Sequence, residues 1–449
     1  MKLCRNLGCL ALLAVLGACG QREAVLEGQR FDVRTPLIET LPNEDGVIPA
    51  LQPREAAAEV PGLALPDARN HKSWTHRGGT ARHAIRHPRL SASPSPIWSA
   101  DIGAGAGRTF RVTADPVVAS GRIFTLDAKA RVMAHDVDRG TPIWSADLTP
   151  ASDREGDASG GGLAIGDGVL FVTTGFGDLT AFDAASGRRL WRQELDAVAA
   201  GAPTVAGGLV YTVSRNGQAW AIDTANGRIK WTLRGLPGVS VRAGGAGPAI
   251  TDRLAVFPFG SGELIAALRQ SGIRVWSASV SGTRRGRAYA GLNDISADPV
   301  VDDGVIYAGN PSGRVVAIDA ASGARLWTAT EGAVSPVWPV GNSVFLVSDQ
   351  NRLVRLDAAT GTVIWSRALP LFRNERVRRR KAIFAHYGPV LAGGRLWVAS
   401  DDGLLRSFDP VTGAEAGSIG LRGGAASNPI VVNDTMYLVT KLGRLVAYR

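Results

Sequence analysis

The stretch Ala181–Trp191, AFDAASGRRLW, carries a pattern that returns along the whole chain. Five copies keep the spacing Asp-x3-Gly-x3-Trp, and they end at Trp144, Trp191, Trp231, Trp327 and Trp365. Two further copies depart from it: Leu268 replaces the Asp in the copy that ends at Trp276, and Gly417 replaces the Trp in the copy that contains Asp409 and Gly413. Repetition at a fixed spacing predicts an array of similar structural units.

The spacing predicts a tight turn between two strands. The Asp side chain can accept hydrogen bonds from backbone N–H groups two residues further on, and the Gly supplies a positive φ at the end of the turn. The Trp then lies on the outgoing strand, where its large ring can cover the edge of the neighbouring unit.

Short β-rich runs precede each turn. In one unit they are Pro203–Val205, Val210–Val213 and Ala219–Ile222, and the Trp strand follows. Each unit therefore has four short strands, which is typical of a propeller blade.

Seven units are centred on the repeats, and an eighth is divided between the chain ends. The last 21 residues supply three strands, and Pro96–Asp101 closely matches the fourth strand Pro142–Asp147. The N-terminal strand would complete the last blade and leave no open sheet edge. We predict an all-β fold over residues 71–449: an eight-bladed β-propeller of four-stranded antiparallel blades. A solenoid would not explain the matching front strand.

Composition agrees with a turn-rich fold and limits the function. The 449 residues include 55 Gly and 24 Pro, and the net charge is +10. The one long apolar run, Leu7–Leu16, is too short to span a bilayer, which excludes a polytopic membrane protein. Basic residues before this run and small residues after it predict a signal peptide over residues 1–18. Basic residues do not alternate with aromatic ones, so nucleic acid is not predicted as a partner.

The sequence Leu16-Gly17-Ala18-Cys19 resembles the lipobox of bacterial lipoproteins. The resemblance implies lipidation of Cys19 after cleavage, and Gly20 implies an outer-membrane location. An ordinary signal peptide with a chance Cys is the alternative. Residues 19–70 are rich in Pro and show no sustained period, so we predict a lipidated, flexible tether there.

The Trp repeats resemble those of the pyrroloquinoline-quinone type of eight-bladed propeller. One branch with this ring is the BamB family of lipoproteins. That resemblance implies a non-catalytic scaffold on the periplasmic side of the outer membrane. Such a scaffold binds a periplasmic POTRA domain of BamA, works with other lipoproteins of the assembly complex and assists the folding and insertion of outer-membrane proteins.

The connector after Trp231 carries the apolar-Ser-apolar-Arg motif that docks on BamA in this family. Val239, Val241 and Arg242 match the motif. On the next connector the family has two acids, which correspond to Asp294 and to Ser296, where this sequence departs. We expect exposed apolar side chains, an Arg and a neighbouring carboxylate to form one docking surface. The alternative is an ordinary strand with a solvated Arg.

The other branch is the quinone-dependent dehydrogenases. Members hold the quinone with Ca²⁺, a catalytic Asp and usually a vicinal disulfide, and a mature chain with one Cys cannot form that disulfide. We predict no cofactor and no catalysis, and we interpret Asp115, Asp153 and Asp157 as turn residues or solvated charges. A propeller adaptor for another envelope complex remains a third hypothesis.

Two clusters have simpler interpretations. The basic run over residues 373–381 is predicted to be a solvated loop, with an acidic partner or anionic lipid as the alternative. His71, His76, His83 and His87 precede the ring, and His83 and His87 have the spacing of a helical metal pair. Nearby Gly78, Gly79 and Pro88 oppose a helix, so no metal site is predicted.

Overall fold

The computed structural model describes residues 41–42, 61–199, 201–238, 244–282 and 292–449. The chain divides into two units, Met1–Glu59 and Val60–Arg449. The first is described only at residues 41 and 42, and the second contains the predicted ring.

The strands of the first four blades follow one another in chain order, and each blade is an antiparallel sheet of four. Blade 1 consists of β2 (Val117–Ala119), β3 (Arg122–Leu126), β4 (Arg131–Asp136) and β5 (Pro142–Asp147). Blade 2 consists of β6 (Gly161–Gly166), β7 (Val169–Thr174), β8 (Asp178–Asp183) and β9 (Arg189–Glu194). Blade 3 consists of β10 (Thr204–Ala206), β11 (Leu209–Ser214), β12 (Gln218–Asp223) and β13 (Ile229–Arg234). Blade 4 consists of β14 (Ala249–Ile250), β15 (Leu254–Pro258), β16 (Glu263–Leu268) and β17 (Arg274–Ser279).

The remaining blades repeat this order, except that the last one also uses β1 (Pro96–Asp101). Blade 5 consists of β18 (Val300–Asp302), β19 (Val305–Asn310), β20 (Arg314–Asp319) and β21 (Arg325–Ala329). Blade 6 consists of β22 (Trp338–Val340), β23 (Ser343–Val347), β24 (Arg352–Asp357) and β25 (Val363–Ala368). Blade 7 consists of β26 (His386–Ala392), β27 (Arg395–Ser400), β28 (Leu404–Phe408) and β29 (Glu415–Gly420). Blade 8 consists of β30 (Ile430–Val432), β31 (Thr435–Val439), β32 (Arg444–Tyr448) and β1.

The ring closes as the sequence predicts. Strand β1 pairs antiparallel with β32, and Ser99 lies opposite Val446. At the end of the ladder, the Ser95 N–H donates to the Arg449 carbonyl at 2.8 Å, and the Arg449 N–H donates back at 2.9 Å. Both chain ends of the propeller are thereby held in one sheet, and the outer edge of β32 is paired.

The alternation of turns gives the ring two different faces. We call the side with the first and third turn of each blade the turn face; it carries the Asp-x3-Gly turns. The opposite side, with the second turns and the loops between blades, is the connector face. A 3-10 helix, Val377–Arg379, lies in the connector between blades 6 and 7. In the described part of the chain, no helix is both long and apolar enough to cross a membrane.

The repeated Trp joins the blade that carries it to the next one. The Trp144 indole N–H donates to the Ala184 carbonyl of blade 2 at 3.1 Å, and its ring covers Gly187. Gly187 has a φ of 73°, and Asp183 Oδ1 accepts the Ser186 N–H at 2.8 Å. The turn chemistry and the inter-blade role of the Trp are therefore confirmed.

The copy with Gly417 in place of Trp lies at the junction between blade 7 and blade 8, where the ring closes. A Trp of one blade docks on the Asp-x3-Gly turn of the next, as Trp365 of blade 6 docks on Gly413 of blade 7. Blade 8 has no such turn, because its third and fourth strands, β32 and β1, come from opposite ends of the chain. A Trp at position 417 would have no turn to cover, which accounts for its replacement.

Candidate functional site

The predicted docking motif lies outside the described residues. Val239, Val241 and Arg242 belong to the segment 239–243, which the structure does not describe. The residues just before it lie on the connector face, at the end of β13. Leu236 is 64% exposed there, and Pro237 beside it is also exposed. An apolar side chain this open is the kind of residue that anchors a partner, and no motif in the sequence marks it.

The described ends of the two predicted connectors flank one turn of blade 4 on this face. The turn between β15 and β16 separates them and contacts both. A Cβ on Gly238 of the first connector would collide with the Gly260 carbonyl of that turn. A Cβ on Gly262 would lie 2.6 Å from the Asn293 carbonyl of the second connector. The two contacts concern only the described ends of these connectors, so the single docking surface stays a prediction.

Asp294 and Ser296 differ from the expectation of an exposed pair. Their exposed fractions are 3% and 6%, and the Ser296 hydroxyl donates to the Ala333 carbonyl at 3.1 Å. In the described part of this connector, residues 280–282 and 292–299, the exposed residue is Asn293. The difference has a physical cause: Ile295 is buried between blades, so the chain turns inward at Asp294 to place it.

A second feature occupies the centre of the ring. We call residues 69–90 the strap, because they run along the inner strands at the turn face. Trp74 exchanges two backbone hydrogen bonds with Val118 of blade 1, both at 2.8 Å. Further strap residues bond to the inner strands around the ring or to the turns that follow them: Thr75 to Ile165, His76 to Val205, Ala81 to Ile250, Arg82 to Val301, Pro88 to Gly393 and His71 to Asn433.

Residues 61–62, which precede the strap, contact blade 6. Arg355 is fully buried and donates to the Pro61 carbonyl at 3.0 Å and to the Val411 carbonyl at 3.2 Å. Arg355 stands where most of the other repeats have Ala, such as Ala181. Burial lowers its pKa, so this departure from the repeat has a cost that the backbone contacts offset.

Arg77 extends from the strap into the ring axis. Its guanidinium lies 3.3 Å from Asp115 and 3.4 Å from Asp298, two carboxylates before the inner strands of opposite blades 1 and 5. Asp115 also accepts from the backbone and side chain of Asn428, at 2.8 and 2.7 Å. The interpretation of Asp115 as a turn residue or solvated charge is therefore wrong: it is buried and ion-paired with a residue 38 positions earlier in the chain.

The charges in this cluster affect one another. Burial alone would lower the pKa of Arg77, but Asp298 and Asp115 outweigh it and raise that pKa. Burial raises the pKa of Asp115, and the nearby Arg77 charge opposes the rise. Because Arg77 pairs with an acid on each side of the ring, it fixes the strap to both sides. Burying these three charged groups costs free energy.

The strap histidines are used as structural hydrogen-bonding groups. His76 Nε2 lies 3.0 Å from the Val205 nitrogen, and His83 Nδ1 lies 2.9 Å from the Pro299 carbonyl. Burial lowers the pKa of His76 to about 3 and also lowers that of His83. Within the described ranges, no group of three or more His, Cys, Asp or Glu residues is placed to hold a metal ion.

In the described part of the ring, the cavity beside Trp74 at the axis is too small for a quinone. A cavity of about 30 Å³ remains between Trp74, Asp115 and Pro389, whereas sites for organic ligands enclose roughly 300–1,000 Å³. The strap residues, with Arg77 at the centre, fill the space at the ring axis. The residues at the ring axis therefore do not fit the cofactor of the dehydrogenase branch.

A wider depression of about 780 Å³ lies on the turn face, between the strap and blades 3 to 6. Its wall carries both signs of charge, and Arg82 pairs with Asp252 at 2.9 Å. It faces away from the predicted docking connectors.

Comparison with known proteins decides between the branches. The sequence profile of the family described as "Outer membrane protein assembly factor BamB" matches residues 128–367, more than half of the chain. The chain belongs to the BamB family. A curated BamB of Yersinia pestis is 29% identical over 366 residues, which cover 79% of this chain and 89% of the relative.

Solved structures confirm the ring that BamB proteins share with other propellers. BamB from Moraxella catarrhalis superposes with a TM-score of 0.66 at 18% identity, over 80% of this chain and all of that one. Quinohemoprotein alcohol dehydrogenase from Comamonas testosteroni gives 0.64 at 16% identity, over 85% of this chain and 81% of that one. At such identities the likeness concerns the fold alone, so the BamB family assignment rests on the sequence.

Proposed function

We propose that this chain is a non-catalytic scaffold of the outer-membrane β-barrel assembly complex, where it assists folding and insertion of outer-membrane proteins. Membership of the BamB family supports this role, since the relatives carry the name of an assembly factor. The strap supports the absence of quinone chemistry, because the chain's own Arg77 and Trp74 occupy the ring axis.

The proposed partner is a periplasmic POTRA domain of BamA, and the docking surface is the connector face of blades 3 to 5. Val239, Val241 and Arg242 would make the contact, and the exposed Leu236 would extend its apolar part. Asp294 and Ser296, being buried, would hold the second connector in place beneath Asn293. An apolar centre with an orienting Arg is typical of an interface hot spot.

The anchoring proposal concerns residues outside the described ranges. Cys19 would carry the lipid after removal of residues 1–18, and the following tether would place the ring in the periplasm at the outer membrane. Mass spectrometry of the mature chain would test it: an N-terminal acylated Cys19 supports the anchor, and a free N-terminus after another cleavage contradicts it.

The test of the docking surface is the affinity of the soluble full ring for the BamA periplasmic region. Arg242→Glu should weaken binding by about tenfold or more, since hot-spot residues contribute about 2 kcal/mol or more. Arg228→Glu makes the same charge change on the turn face of blade 3, where the side chain is exposed, and should leave the affinity unchanged. Equal affinity of both variants would contradict the site.

A second pair of matched variants tests the apolar part of the docking surface. Leu236 is 64% exposed on the connector face, and Ile273 is 63% exposed on the turn face. Leu236→Asp should weaken BamA binding by roughly tenfold, while Ile273→Asp should not. Neither change should lower the thermal midpoint much, because neither side chain is packed in the core. If Ile273→Asp weakens binding as much as Leu236→Asp, the connector face is not the docking surface.

A further inference from the structure

The connector between blades 6 and 7 forms a small hairpin of its own. We call residues 371–384 the basic hairpin. Phe372 pairs antiparallel with Ile383, the Arg373 N–H donates to the Ala382 carbonyl at 3.0 Å, and the Phe384 N–H donates to the Leu371 carbonyl at 2.9 Å. The 3-10 helix Val377–Arg379 forms its tip. The predicted solvated loop is therefore an ordered element.

Blades 6 and 7 hold the base of this hairpin in place. The Asn351 side-chain amide of blade 6 donates to the carbonyls of Pro370 and Phe384, at 3.1 and 2.9 Å. On the other side, Asp401 of blade 7 pairs with Arg373 and accepts the Ala385 N–H at 3.0 Å. Each flank of the hairpin is thus tied to a different blade, which fixes its direction on the connector face.

Two of its six cations stabilise the hairpin itself. Arg373 pairs with Asp401, and its guanidinium carbon lies 5.2 Å from the centre of the Phe384 ring. Arg380 lies 3.5 Å from Glu375 and 4.8 Å from the centre of the Phe372 ring. Cation–π contacts of this kind hold a guanidinium in a fixed position.

The other four cations have no such role. Arg376, Arg378, Arg379 and Lys381 are exposed, and none is within ion-pair distance of a carboxylate in the described ranges. Four like charges within six residues repel one another, so their presence does not stabilise the ring. Ile383, 52% exposed, adds an apolar side chain at the base of the same hairpin.

We propose that the basic hairpin is a second docking element and that it binds an acidic protein surface. Three of the four free cations are Arg, whose planar guanidinium binds carboxylates in a bidentate manner. The rigid base and the apolar Ile383 suit a structured partner with fixed carboxylates. Attraction to anionic lipid needs only a flexible basic segment. This element is two connectors beyond the blade 4–5 connector of the docking surface proposed above and does not depend on it.

Direct binding to a defined acidic probe tests the chemistry. The probe is a fluorescent peptide of ten glutamates, titrated with the purified chain. Arg376→Glu, Arg378→Glu and Arg379→Glu together should weaken binding by about tenfold or more. Arg139→Glu, Arg188→Glu and Arg228→Glu make the same change of net charge on the turn face and should have less than a twofold effect. Equal losses in the two triple variants would mean that only net charge matters and would overturn the proposal.

A lysine variant and lipid vesicles distinguish an acidic protein partner from an anionic lipid surface. Replacing the three arginines by Lys keeps the charge but removes bidentate pairing, so peptide binding should fall several-fold. Sedimentation with vesicles of phosphatidylethanolamine and phosphatidylglycerol should be weak for all variants. Strong vesicle binding that the Glu variant abolishes, with peptide binding unchanged by Lys, would overturn the proposal in favour of a lipid surface.

A crosslinking experiment tests the hairpin in the cell. A photoreactive benzoylphenylalanine at position 382, in the full-length chain, should form a protein adduct whose crosslinked peptide is rich in Asp and Glu. The adduct should disappear when the three arginines are changed to Glu. An adduct that survives this change, or no protein adduct at all, would overturn the proposal.

Discussion

Single residues connect the blades, and glycine makes this possible. Gly227 has a φ of 73°, and a Cβ there would lie 2.8 Å from the Trp191 ring of the preceding blade. Gly208 in the same blade has a similar φ of 78° but open space around it. Comparing Gly227 with Gly208 therefore separates the cost of backbone strain from the cost of displacing the Trp191 ring.

Gly227→Ala should therefore destabilise the ring more than Gly208→Ala. Both substitutions place a Cβ in the left-handed region, at about 1–2 kcal/mol. Gly227→Ala must also displace the Trp191 ring, which adds about 1–3 kcal/mol of overpacking. Thermal midpoints of the two variants measure the difference. Equal midpoints would show that the Trp contact does not stabilise the ring.

The residue scale also shows where sequence reasoning succeeds and fails. The Asp, Gly and Trp of each repeat could be predicted because the turn needs those residue types at fixed local spacing. Asp115 could not, because its partner Arg77 is 38 residues away, on a segment with no repeat. The inward turn at Asp294 also depends on how Ile295 packs between blades, which local pattern does not specify.

At the scale of elements, the strap is the main feature that periodicity did not reveal. Its residues form backbone bonds to inner strands one by one rather than as a strand or helix. Three of its four histidines, His76, His83 and His87, are buried and serve as hydrogen-bonding groups. The two Gly and four His residues of this segment gave no signal of this role, because such contacts are tertiary.

The strap should loosen as the pH falls. Burial lowers the pKa of His76 to about 3, below its unfolded value of 6.5. Between these values the unfolded chain binds a proton that the folded chain does not, so stability is present above pH 6.5 and is lost on acidification. Each such group contributes up to about 1.4 kcal/mol per pH unit. The thermal midpoint of the ring should therefore fall between pH 7 and pH 5.

Two variants test whether His76 causes this pH dependence. His76→Gln removes the titrating group and should flatten the slope of midpoint against pH. Thr75→Val removes the hydroxyl that lies 2.8 Å from His76 Nδ1, so it should lower the midpoint but retain a pH slope. A slope unchanged in His76→Gln would rule out this residue as its source.

The whole molecule depends on closure of the ring by β1. A chain lacking residues 1–90 loses the strap but keeps β1, and it should be less stable yet monomeric. A chain lacking residues 1–101 also loses β1, so the edge of β32 is exposed and free to pair with another chain. Light scattering should show self-association only for the shorter chain. Monomeric behaviour of both would contradict the role of β1 as the closing strand.

At the same scale, the strap places Arg77 and Trp74 at the ring axis, while a depression of about 780 Å³ stays open on the turn face. The connector face carries the proposed BamA surface and the basic hairpin, and the chain belongs to the BamB family. The repeats predicted the ring and its closure in full. They could not predict the filling of the axis, which requires a segment outside the repeats.

Purification of the tagged full-length chain from its own solubilised membranes tests the central claim most directly. Quantitative mass spectrometry of the co-eluting proteins gives the result. The scaffold role predicts BamA as a near-stoichiometric partner, together with other lipoproteins of the assembly complex. An eluate without BamA that contains a cytochrome or a dehydrogenase chain would contradict the account.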